Sequence, residues 1–219
     1  MTSVRRGVDI AVRSLRKAAL RSPLVTELSS VPAPQERTGI SGPVTMTDTA
    51  HLVQFFSADD RLVQVVSDHM REGFAVGDTC VAVLTAEHRQ AIEASLRSAG
   101  LNPEALSAEY RYVPLDADTM LASLYDPRTG FDRERFHNDC GLLIRQVSAR
   151  GQPVRFYGEM VDLLVEQGRP AAAIELEELW NELSRHHNFH MFCTYRVSSF
   201  TENPRYRKLL HGLHTHVVP

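Results

Sequence analysis

No stretch of this sequence is long and apolar enough to cross a bilayer, which takes about 18–20 such residues; its apolar runs are the length of single strands. Nor does a secretory signal stand at the N-terminus, where arginines are followed by no uninterrupted apolar segment. Cysteine is scarce. Its three copies, Cys80, Cys140 and Cys193, are scattered and odd in number. Each lies in an apolar run, so they read as reduced core residues of a cytoplasmic protein and not as a disulfide framework. A basic surplus is missing as well: the formal net charge is −3, which removes the general case for a nucleic-acid partner. The motifs of common nucleotide and hydrolase chemistry are absent too. No Gly-x-Gly-x-x-Gly follows a strand, no Gly-x-Ser-x-Gly elbow occurs, and no glycine-rich loop ends in Lys-Ser or Lys-Thr.

What remains is ordinary globular material, 219 residues with 43% hydrophobic and 23% charged, enough for one well-filled core. Charge is uneven along it. Residues 1–22 carry six basic side chains against Asp9 alone, and Val8, Ala11, Leu15 and Ala19 give them a weak helical stripe. Residues 21–50 are rich in Ser, Thr, Pro and Gly without periodicity and read as a linker. Order is expected over 51–200, followed by a short basic, histidine-containing tail.

Within 51–200, short apolar runs alternate with helical patterns about five times. HLVQFF, TCVAVL, the run ending in Leu115, VRFYG and FHMFCTY are the strands. The connections are too long for hairpins, so the fold class is α/β, a largely parallel sheet with helices on both faces. The segment from Pro170 is its clearest helix. Ala172, Ala173, Leu176, Leu179, Trp180 and Leu183 form one buried stripe, and Glu175, Glu178 and Glu182 form an acidic face.

In such sheets ligands bind beyond the carboxyl ends of the strands. Those ends place Ser57, Asp59 and Asp60, then Thr85, His88 and Arg89, then Asp116, then Gly158 and Glu159, and finally Arg196 around one crevice, beside the aromatic Phe55, Phe56 and Tyr157. As an enzyme, Glu159 and Asp116 would be acid and base with His88 as relay. As a binding site, the same groups would anchor a small polar ligand. Asp59, Asp116 and Thr85 also suit helix caps. The loop FFSADDRL stands where a phosphate-binding loop would be; without glycine or lysine, and with two acids, it is unsuited to phosphate. His186, His187 and His190 cluster in sequence near Cys193, and His211, His214 and His216 sit in the tail. The first group is split across the two sides of a strand, the second is expected to be solvated, and no metal or cofactor is assigned.

The segments HLVQFFSADDRL, GDTCVAVLTAEHR, LDADTML and above all RFYGEMVDLLVEQGRPAAAIELEELWNEL resemble the MEDS domain, a sensory domain of methanogen and methylotroph signalling proteins that include the dichloromethane-responsive repressor. The resemblance covers about His51 to Phe200. It implies a RecA/KaiC-like core without a phosphate-binding loop, a non-catalytic role in sensing small organic molecules, and a protein partner such as a kinase or anti-sigma-type regulator. A homo-oligomer is compatible with it. Carried over by position, the ligand-binding candidates are His51, Phe55, His88, Arg89, Asp116, Arg155, Gly158, Glu159, Trp180 and Asn181. His51, His88 and Glu159 are expected as shared polar lining, with Phe55 and Tyr157 as its apolar wall. The rival readings are an enzyme using Glu159, Asp116 and His88, and a pure interaction module.

Overall fold

The computed structural model describes residues 50–201 and 204–217. The basic N-terminal segment with its weak helical stripe and the linker up to residue 49 lie outside the described residues. Six strands form one parallel sheet: β1 (His51–Phe56), β2 (Thr79–Leu84), β3 (Tyr112–Asp116), β6 (Val154–Gly158), β7 (His190–Arg196) and β8 (His216–Val217). Their order across the sheet is β3-β2-β6-β7-β1-β8. A two-stranded hairpin, β4 (Tyr125–Asp126) with β5 (Gly130–Phe131), projects from the DPRTG segment. The five expected strands are all present, and the sheet is parallel as the long connections require.

Helices cover both faces. Against one lie α1 (Asp59–Val76), α2 (Ala86–Ser98) and α3 (Pro103–Ala108), packed on Cys80, Ala82, Leu84, Tyr157 and Phe192. Against the other lie α4 (Ala117–Leu124), α5 (Arg133–Ser148), α6 (Met160–Glu166), α7 (Pro170–Ser184) and α8 (Pro204–Gly212), on Val53, Val81, Phe156, Cys193 and Tyr195. The pleat explains this division, since successive side chains of a strand point to opposite faces. The interior strand β2 is buried at every position, TCVAVL, as a strand sandwiched between helices must be.

Local chemistry sets the helix boundaries. Thr85, Asn102, Asp116 and Asp132 each accept a backbone N–H from the first turn that follows, at α2, α3, α4 and α5. Helix α1 ends at Gly77, whose φ of 92° is a left-handed cap open to glycine. In α7 the stripe read from sequence is buried, and Trp180 meets Phe136 and Phe156 at ring-centroid distances of 4.8 and 4.7 Å.

In the basic C-terminal stretch the segment RYRKLL reads from sequence as a possible helix and is one, while the strand after it departs from the sequence reading. The stretch forms α8 and then β8, which pairs with β1 through Leu52 and His216. Thr215 stitches it down: the backbone N–H of His51 donates to Thr215 Oγ1, and both the hydroxyl and the N–H of Thr215 donate to the carbonyl of His51. A two-residue strand preceded by polar residues has no periodicity to read.

Candidate functional site

The candidate residues separate into two buried clusters, one on each face of the sheet. Strand β7 divides them: Thr194 faces one and its neighbours Cys193 and Tyr195 face the other.

The first cluster stands at the carboxyl ends of the strands. Glu159 follows β6 directly and is 3% exposed. Its carboxylate is fully engaged: Oε2 accepts the backbone N–H of Thr85 at 2.7 Å, and Oε1 accepts from the Tyr157 hydroxyl at 3.0 Å and pairs with His88 Nδ1 at 2.9 Å. Tyr157 also shares a 2.9 Å hydrogen bond with Thr194. The hydrogen bond to Glu159 holds the His88 imidazolium above its ordinary proton affinity, against the effect of burial. His88 Nε2 in turn lies 3.7 Å from Asp59, which forms an ion pair with Arg196. Arg196 lies over the Phe56 ring and also contacts Glu166 at 3.2 Å. The loop after β1 is thus tied to the end of β7 by charge pairs. Tyr157 is pushed to a higher pKa by burial and by the Glu159 charge, and is a neutral donor here.

Other expected crevice residues do not join this cluster. Asp116 turns to its own helix and accepts from Thr119 N–H at 2.8 Å. Arg89 lies along α2 against Glu93 at 2.8 Å. Arg155 stands near the start of β6, where its Nε donates to Asp78 at 2.6 Å. Gly158 is a packing position, because a Cβ there would come within 3.1 Å of Met191 Cε. Phe55 projects to the opposite face, 5.9 Å from Tyr195 and under Arg207.

His51 is likewise on that opposite face, not with His88 and Glu159. It opens β1, so it lies at the other end of its strand, and its ring enters a second cluster. There Nδ1 meets Asn181 Oδ1 at 2.9 Å, while Nε2 lies 3.0 Å from Glu177 Oε2 and 3.5 Å from Cys193 Sγ. Glu177 is wholly buried, accepts the Tyr195 hydroxyl at 2.6 Å, and has His214 Nε2 3.2 Å from Oε1. The His214 side chain is inaccessible to solvent, contrary to the solvated tail expected from sequence. Burial raises the pKa of Glu177, but the charges of His214 and His51 outweigh it and hold the carboxyl well below the usual range. Burial works against charge on His214 also; Glu177 prevails and raises it. Burial, and then the Glu177 charge, push the Cys193 thiol well up.

Sequence reading missed Glu177, Tyr195 and the inward position of His214. One signal was available. Glu177 falls four residues after Ala173 and three before Trp180, so a carboxylate interrupts the apolar stripe of α7. Beside this cluster opens a cavity of about 330 Å³ lined by Trp180, Phe189, Met191 and Leu213 together with His51 and Asn181.

No helix among the described residues is long and apolar enough to cross a membrane. No curated protein matches the chain. Among solved structures, a KaiC-like protein from the hyperthermophilic archaeon Pyrococcus horikoshii aligns with a TM-score of 0.43 and 13% identity, over 68% of this chain and 61% of that chain. The profile of a sensory-domain family, by contrast, matches residues 50–216, nearly all of the described residues and the C-terminal helix and strand with them. The chain belongs to the MEDS family, the methanogen/methylotroph, DcmR sensory domain.

Proposed function

We propose that this sensory domain is non-catalytic, takes a small organic molecule into the cavity beside His51 and Asn181, and passes the signal to a protein partner. The carrying observation is the cavity wall. Its volume of about 330 Å³ suits a small molecule, and Trp180, Phe189, Met191 and Leu213 line it together with the polar groups of His51, Asn181, Ser184, Arg185 and Thr215, the mixture by which pockets combine burial with orientation. His51 and Asn181 are both residues that the family resemblance nominates. At the Glu159 crevice both carboxylate oxygens are satisfied within the protein. On this reading the Glu159 cluster is a polar clasp. It does the structural work of closing a loop that has lost its phosphate-binding function.

Output through the acidic face of α7 is constrained. Glu182 pairs with Arg133 and His137, and Glu175 lies 3.9 Å from Arg133, which leaves Glu178 exposed. Leu213 belongs both to the cavity wall and to the turn between α8 and β8. Occupancy of the cavity would bias that C-terminal segment, whose short pairing opens at low free energy. A kinase or anti-sigma-type regulator reading α8 fits this route.

The test is native mass spectrometry of the purified chain, followed by thermal-shift screening against small organic acids, alcohols and halocarbons, with ATP–magnesium as a control. At a hundredfold excess over Kd a ligand adds about 2.7 kcal/mol to stability, a Tm rise of roughly 5–10 °C for a protein of this size. The variant Ser184→Leu, which fills the cavity margin, is expected to abolish the shift. An equal shift in that variant, or a response to ATP–magnesium alone, overturns the reading.

A further inference from the structure

The cluster of His51, Glu177, Cys193 and His214 carries an inference independent of any organic ligand. Its four side chains each present one ligand atom, and these atoms all lie within 4.8 Å of one another. Bond lengths of 2.0–2.3 Å to nitrogen, oxygen and sulfur place the donors of a tetrahedral zinc about 3.3–3.8 Å apart. The observed separations are 3.0 Å (His51 Nε2 to Glu177 Oε2), 3.2 Å (His214 Nε2 to Glu177 Oε1), 3.5 Å (His51 Nε2 to Cys193 Sγ) and 3.7 Å (Cys193 Sγ to Glu177 Oε2), so the carboxylate turns a different oxygen to each histidine.

Tautomers point the same way. The Nδ1 of His214 lies 2.7 Å from the carbonyl of Leu210, which can only accept, so that nitrogen carries the proton. Asn181 gives its amide Nδ2 to the carbonyl of Leu213, so its Oδ1 faces His51 and fixes the proton on Nδ1 there too. In neutral imidazole both Nε2 lone pairs therefore point at the carboxylate of Glu177 and repel it. His214 Nε2 is buried and lies outside hydrogen-bonding geometry with any partner. Histidines that donate Nδ1–H to a carbonyl and aim Nε2 inward are the arrangement by which proteins orient metal ligands. The Tyr195 hydroxyl plays the same part for the carboxylate, donating to Glu177 Oε1.

Charge completes the argument. Two imidazolium rings around one carboxylate leave a net positive charge in a buried site, which is costly, and a single imidazolium leaves the other ring's Nε2 lone pair against the carboxylate. A divalent ion with one carboxylate and one thiolate is neutral.

We propose that His51 Nε2, His214 Nε2, Cys193 Sγ and Glu177 bind one divalent transition-metal ion of borderline softness, zinc foremost. Binding releases the Cys193 thiol proton, as thiolate ligation requires. The ligands come from β1, α7, β7 and the turn before β8, so the ion would clamp the C-terminal segment to the sheet. His51 would join the metal at one ring edge to the cavity at the other.

The test uses the full chain with metal alone. Elemental analysis after purification in zinc-supplemented medium is expected to give one zinc per chain. Cobalt(II) added to chelator-treated protein is expected to give visible d–d bands of tetrahedral intensity and a near-ultraviolet thiolate charge-transfer band. Cys193→Ser should abolish the charge-transfer band while d–d bands persist, and Asn181→Ala should weaken cobalt affinity about 10-fold through the lost orientation of His51. His214→Gln should lose stoichiometric binding, with circular dichroism reporting that the sheet is intact. The proposal is overturned by wild-type protein that keeps its fold yet takes up neither ion stoichiometrically, or by a charge-transfer band that survives Cys193→Ser. Neither readout involves an organic ligand, so the sensory cavity and the metal site stand or fall separately.

Discussion

Glu159 and Glu177 are both buried carboxylates beside histidine, yet they are held in opposite ways. Glu159 is a closed account of hydrogen bonds: an amide, a phenol and one imidazole saturate it, and His88 retains contact with solvent-facing Asp59. Glu177 has a phenol donor and two histidines whose Nε2 atoms converge on it. The first arrangement is complete as protein. The second directs two ring nitrogens and a thiol at one carboxylate, the donor set that the proposed divalent ion would bind. Burial alone therefore does not tell the two acids apart; the side chains that surround them do.

The comparison is broken most severely at Glu177. Glu177→Ala leaves two imidazoles and a thiol buried without a counter-charge, and a loss of about 3–5 kcal/mol is expected, read by urea unfolding with chelator present so that metal does not enter. The folded carboxyl titrates below its unfolded counterpart. Its contribution is thus present above the ordinary glutamate pKa and lost as the pH falls through the folded value.

A third acid sharpens the contrast. Asp162 is buried in the first turn of α6 and accepts the Arg196 backbone N–H at 3.0 Å, but has no histidine beside it. Burial wins, and its pKa is raised to about 7. Because the native state holds this proton more tightly, stability should decline as the pH rises from about 4 to 7. Asp162→Asn is expected to flatten that decline and to add on the order of 2–3 kcal/mol at pH 8, measured by unfolding midpoints across the range.

A smaller effect is expected at the first cluster. Glu159→Gln keeps the shape and loses the charge, for a cost of about 1–3 kcal/mol. His88 should fall toward its ordinary proton affinity, as followed by NMR titration of its ring. The Glu159–His88 pair stabilises below the unfolded histidine pKa and ceases to do so as the pH rises through the raised folded value. Smallest of all is Asp59→Ala at the exposed end of this chain of contacts, expected within about 0.5 kcal/mol and diminished further by salt.

Legibility in the sequence followed the strength of the periodic signal. TCVAVL could only be a strand buried on both faces, and the stripe through Leu176, Leu179, Trp180 and Leu183 could only be a helix against a core; both are so placed. Strand ends likewise predicted that Thr85, His88 and Glu159 would meet. The other cluster was opaque because its members are brought together by topology. His51 and His214 are separated by nearly the whole described chain, and β8 is too short to announce itself. Alternation along β7 was used to keep His190 and Cys193 apart, and it does; the same rule applied to β1 would have put His51, Val53 and Phe55 on the face of Cys193.

That distance along the chain makes the cluster a fastener between the two ends of the described fold. His51 opens the first described strand and His214 stands just before the last one, so the ring of His214 is held over Glu177 only while β8 stays paired with β1. Fraying of that two-residue pairing would uncover a buried carboxylate before the rest of the core is disturbed.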